Sequence, residues 1–123
     1  MKIILLSEDS IRFEPLPGPL TVESPSDEHS FSPFHMMGSA FAVCTYSVMH
    51  AWAEQAKLDA SDITIDVSWT WAEDPHRVGA YELRFRWPSL PENRVGAAHR
   101  AAQLCAVHAT LSHPPAISIA HVA

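Results

Sequence analysis

The chain's 123 residues suffice for one domain, and 47% hydrophobic against 18% charged residues allow a packed core. A net charge of −6 without any run of Lys or Arg excludes nucleic acid as the main partner, because phosphate binding needs a basic stripe. The longest apolar stretch, Met36–Val43, falls far below the roughly 20 residues of a bilayer-spanning helix, so no membrane partner is expected.

From the N-terminus, Lys2–Leu6 is an apolar run with β-branched residues and predicts a strand. Ser7-Glu8-Asp9 ends the run at once, which argues against a signal peptide and for a cytoplasmic chain. Ile11–Glu14 alternates apolar and charged residues and predicts a second strand. Pro15, Pro17, Gly18 and Pro19 then break the chain. Leu20–Val22 predicts a short third strand, paired back as a hairpin, and Ser24–Ser30 a polar loop.

Ser32-Pro33 opens the most legible element, since serine suits an N-cap and proline the first helical position. The predicted helix runs to about Lys57. Met37, Phe41, Cys44, Val48 and Trp52 recur at spacings of four, three, four and four and form one apolar stripe. Next, Ile63–Trp71 alternates strictly, with Ile63, Ile65, Val67, Trp69 and Trp71 on one face. Glu73–His76 is a turn and Tyr81–Trp87 alternates again, which predicts a hairpin whose sheet has one wet side. Pro91 can start a second helix to about Cys105, with Val95, Ala98, Ala102 and Cys105 on one stripe. His113-Pro114-Pro115 interrupts the chain, and Ala116–Val122 predicts a last strand. Strands and helices mix without regular βαβ alternation, so the class is α+β. The chain is a single domain over residues 1–123, with short N-terminal strands and a loop over 1–31 and the core over 32–123.

Only two cysteines are present. Cys44 falls in the middle of the first helix and Cys105 at the end of the second. A thiolate is the nucleophile that attacks a peroxide, and the attack leaves a sulfenic acid. A second thiol condenses with it to a disulfide, so two cysteines are the minimum for that cycle. Apolar surroundings raise a thiol's pKa unless a cation is near, so an arginine or histidine partner is expected. Composition and spacing by themselves favour two inert buried thiols and leave the function open.

The stretch Ser32-Pro33-Phe34-His35-Met36-Met37-Gly38-Ser39-Ala40-Phe41-Ala42-Val43-Cys44 resembles the cysteine helix of the OsmC/Ohr family. Leu104-Cys105-Ala106-Val107-His108-Ala109-Thr110-Leu111 resembles that family's second cysteine motif. The resemblance implies an intertwined homodimer whose sheets wrap two long central helices. It implies a thiol peroxidase that reduces organic hydroperoxides with a dithiol reductant, lipoyl groups among them, and with no metal or organic cofactor. By the same resemblance Cys44 is the peroxidatic cysteine and Cys105 the resolving one. Arg12, alone among arginines before the helix, would be the catalytic arginine. Two positions depart from the family. Phe34 stands where the peroxidase branch has the glutamate that holds its arginine, and Ala106 where proline follows the second cysteine. Phe34 also admits a second reading, a catalytically inactive dimer that binds a small molecule.

Further residues carry weaker signals. Cys105, His108 and His113 have a spacing that zinc accepts, but Pro114-Pro115 prevents a continuous helix from presenting them together, so no metal is expected. His108 is near enough to Cys105 to lower its pKa by charge. His35 suits a capping or surface role. Trp69, Trp71 and Trp87 suit a core or a dimer interface.

Overall fold

The computed structural model describes residues 1–27 and 29–123. The predicted Ser24–Ser30 loop includes Glu28, which lies outside the described residues. Among the described residues, which also hold three helices, five strands form one sheet in the order β3-β1-β2-β4-β5. They are β1 (Lys2–Ser7), β2 (Ser10–Glu14), β3 (Thr21–Glu23), β4 (Thr64–Ala72) and β5 (Arg77–Arg86). Three helices cover one face: α1 (Pro33–Gln55), α2 (Val95–Ala102), which follows a 3-10 turn over Glu92–Arg94, and α3 (Ala106–Ser112).

The period of two in the strand sequences decides what each face carries. Ile3, Leu5, Ile11, Phe13, Ile65 and Val67 are buried under the helices. Removing each such side chain from water contributes roughly 1.5–3 kcal/mol. The intervening residues face outward. There Arg12 sits directly across from Asp66 in the β2–β4 ladder, and Asp66 also accepts from Arg86. The predicted β4–β5 hairpin is present, and Trp69 pairs with Tyr81. Its register shifts between Thr70 and Trp71, which takes Trp71 out of the buried row. Trp71 instead lies edge-on to Phe34 at 4.6 Å and stacks on His76 at 4.7 Å.

Helix α1 begins where the sequence indicates. Ser32 Oγ accepts from the His35 N–H, and His35 Nδ1 accepts from the Ser32 N–H, a reciprocal cap. With Nδ1 accepting, Nε2 carries the proton and donates to the Ser7 carbonyl at 2.9 Å. His35 thus caps α1 as expected, but it is buried, and it ties the helix to the end of β1.

Four expectations need correction. The buried face of α1 holds Gly38, Phe41, Ala42, Thr45, Met49 and Ala53, about one position round from the Met37–Cys44–Trp52 stripe. Gly38 fixes that face, since a Cβ there would meet the Trp69 ring at 2.6 Å. Strand β3 pairs parallel to β1 on its far side, because the proline-rich connection carries it across the sheet edge instead of turning back on β2. The second helix is not continuous to Cys105. It stops at Ala102, and Cys105 is the extended N-cap of α3. Finally, Ala116–Val122 forms no strand within the chain. Both β-sheet edges are distant in sequence, and Ile117, Ile119 and Val122 stay 82%, 94% and 86% exposed.

Candidate active site

Two of the sequence-predicted residues come together and two take other roles. Helix α1 packs on both α2 and α3, which carries Cys44, half-buried, against the start of α3 where Cys105 is buried. The two thiols interact directly, and they do so unequally. Burial pushes the Cys44 thiol up, but contact with the Cys105 thiol and the backbone N–H groups of Val107 and Ala106 outweigh it, and its pKa falls below the ordinary thiol value. Burial pushes Cys105 up, and an ionised Cys44 adds to that shift. The His108 N–H and the Thr45 hydroxyl only partly offset it, so the Cys105 pKa is raised. Of the pair, the Cys44 thiol is the easier to ionise and the Cys105 thiol the harder.

His108 acts through its backbone. Its N–H donates to Cys105 Sγ at 3.4 Å, while its ring lies edge-on to Phe41 at 5.8 Å. Arg12 is not brought to Cys44. Its Nε and Nη2 donate to the two carboxylate oxygens of Asp66 at 2.7 and 3.0 Å, on the sheet face opposite α1. The donors expected from an arginine are here backbone amides. Sequence analysis missed Ala106, Val107 and Thr45, because a backbone donor leaves no residue-type signal and a threonine beside a cysteine carries little. Among the described residues no group of three His, Cys, Asp or Glu side chains is placed to hold a metal ion, and no helix is long and apolar enough to cross a membrane.

Beside the thiols a cavity of about 720 Å³ opens between α1, α2, α3 and the inner face of β5. Phe34, Met37, Phe41, Leu83 and Phe85 give it an apolar wall, Arg77, His99 and Gln103 a polar one, and Thr45 and His108 connect it to the cysteines, which do not line it themselves. Tyr81 also borders it; its hydroxyl is buried without a partner, and burial raises its pKa. A cavity of that size with apolar walls and a few polar groups is suited to a small organic molecule.

Residues 26–120 match the OsmC-like protein family. The chain belongs to that family. A crystal structure from Psychrobacter arcticus 273-4, of a protein named as an osmotic stress induced and detoxification response protein, superposes with a TM-score of 0.62 at 21% identity. The superposition covers 68% of this chain and 62% of that one, so the chain spans under two thirds of that protein's length. That likeness establishes the fold. No curated protein matches the chain. Phe34, which the sequence resemblance sets in place of a glutamate, packs its ring on Trp71 and has no charge to hold an arginine.

Proposed function

We propose that this OsmC-like protein is a thiol peroxidase for organic hydroperoxides, acting in detoxification and oxidative stress defence. The observation that carries the proposal is the placement of Cys44 against Cys105 at the start of α3, beside a cavity between the helices and β5, a setting that shifts the Cys44 thiol down and the Cys105 thiol up. The Cys44 thiolate attacks the distal peroxide oxygen, the O–O bond breaks, and an alcohol leaves after protonation. Cys44 is then a sulfenic acid. Cys105 attacks its sulfur, an S–S bond forms, and water leaves. A dithiol, with a lipoyl group as one source, reduces the disulfide by exchange. The apolar cavity holds the organic part of the hydroperoxide. Free thiols suit a cytoplasmic setting.

A homodimer completes this reading. Strand β5 has β4 on one side and no strand on the other, and the inward-facing Tyr81, Leu83 and Phe85 are only half-buried. The exposed Ala116–Val122 arm of a second copy has the alternation and length to pair with that edge, and an unpaired ten-residue edge strand favours such an addition.

The test is consumption of cumene hydroperoxide with a dithiol as reductant. Wild type turns over and Cys44→Ser does not; equal rates in the two proteins would overturn the proposal. Phe34 favours one other reading, a dimer that binds an apolar small molecule without turnover. That reading predicts saturable binding of an apolar probe in the cavity by both proteins and no peroxide loss in either.

A further inference from the structure

Small hydroxylated residues within helices ordinarily return their hydroxyl to the carbonyl four residues back. Ser47 does so with Val43 at 2.9 Å, and Thr110 with Ala106 at 2.8 Å. Thr45 does not. Its residue is 1% exposed, and its buried Oγ1 has no hydrogen-bond partner. The position follows Cys44 directly on the buried face of α1, borders the cavity, and places the hydroxyl near the Cys105 sulfur. A buried hydroxyl left without a partner costs stability, and a Cys105 thiolate is an acceptor that would satisfy it.

We propose that Thr45 is a positioning residue for the second half of the cycle, its hydroxyl donating to Cys105 Sγ as that sulfur attacks oxidised Cys44. The proposal rests on the peroxidase reading above. The titratable residues that bear on Cys105 are Cys44 on α1 and, through its backbone N–H, His108 on α3, while His76, Arg77, Tyr81 and His99 line the neighbouring cavity. Of these, Cys44 is the one whose charge opposes a Cys105 thiolate, and the His108 backbone N–H favours it. Once a hydroperoxide has converted Cys44 to its sulfenic acid, that opposing charge is gone. Two donors then remain on Cys105, the His108 N–H and the Thr45 hydroxyl. The Cys105 thiolate attacks the sulfenic sulfur, the S–O bond breaks, and the S–S bond forms. Hydroxide leaves and takes up the proton released by Cys105, so Cys105 is oxidised, Cys44 is reduced, and one water departs. The Cys44 charge thereby delays ionisation of the resolving thiol until it has something to attack, and Thr45 then promotes it.

Single-turnover kinetics separate the two half-reactions. Wild type, Thr45→Val and Thr45→Ser are each mixed with one equivalent of cumene hydroperoxide, and sulfenic acid and disulfide are followed by trapping and mass spectrometry across pH. Valine preserves the volume and removes the hydroxyl, whereas serine keeps the hydroxyl and loses the methyl. Relative to its own rate of sulfenic acid formation, Thr45→Val should close the disulfide roughly tenfold more slowly, the weight of one hydrogen bond to a charged group. Its closure profile should move to higher pH, and Cys44 should accumulate as sulfinic acid with excess peroxide. Thr45→Ser should close normally. Wild-type closure by Thr45→Val, or equal slowing in both variants as a packing role predicts, would overturn the assignment. Absence of sulfenic acid in wild type would instead overturn the peroxidase reading.

Discussion

The two cysteines have opposite settings. Cys44 sits inside a 23-residue helix, half-buried, with donors aimed at it from another element. Cys105 caps a seven-residue helix, is fully buried, and meets its partner's charge. Helix interiors offer no free N–H groups, so the Cys44 pKa is lowered from outside its own helix, first by contact with the Cys105 thiol and then by the N-terminal amides of α3. The difference teaches that reactivity here is made between elements. Neither cysteine's own segment accounts for its behaviour.

Cys105→Ser would break the comparison outright. It removes the thiol contact that lowers Cys44 and also the resolving nucleophile. With its pKa raised, Cys44 should be alkylated by iodoacetamide roughly tenfold more slowly near neutral pH, and peroxide should leave Cys44 as sulfinic acid. Gly38→Ala moves one side of the comparison only. Its Cβ overlaps the buried Trp69 ring, so α1 must shift from the sheet and carry Cys44 with it. A loss of about 1–3 kcal/mol in denaturant unfolding is expected, with the two thiols' alkylation rates drawing closer.

What the sequence reveals follows the same division. The β4–β5 hairpin is legible because Ile63–Trp69 alternates without a break, and the start of α1 because Ser32-Pro33 is a strong local signal. The buried face of α1 is not, since the helix is apolar nearly all round and Gly38 and Thr45 face inward for reasons of close approach and chemistry. The break at Gln103-Leu104 leaves no proline or glycine to mark it, which hides the N-cap role of Cys105. The pairing of Cys44 with the α3 amides is a tertiary fact with no local signature. Ala116–Val122 has a strand's composition, but a strand forms only where an edge receives it.

Ala106→Pro sharpens the comparison. Position 106 is the first of α3, where proline is tolerated, so the fold should persist while one N–H donor to Cys44 is lost. Cys44 alkylation should slow severalfold, less than in Cys105→Ser, with the Cys105 rate nearly unchanged. Asp66→Asn is the smallest perturbation and the control. Burial pushes the Asp66 carboxyl up, but Arg12 and Arg86 outweigh it and hold its pKa below the ordinary value. The folded pKa lies below the unfolded one, so the stabilisation is complete above roughly pH 4 and is lost as pH falls through the folded value. The variant should lose less than about 1 kcal/mol at pH 7 and show a flatter acid limb in thermal unfolding, with both thiols titrating as in wild type.

The central claim is that the two sulfurs meet as an ionised nucleophile and its resolving partner. Intact mass measured without reductant, after one equivalent of cumene hydroperoxide, tests it most directly. The account predicts a loss of two hydrogens that maps to a Cys44–Cys105 linkage within a single chain. An unchanged mass, or an oxygen retained on Cys44 with Cys105 still free, would contradict it.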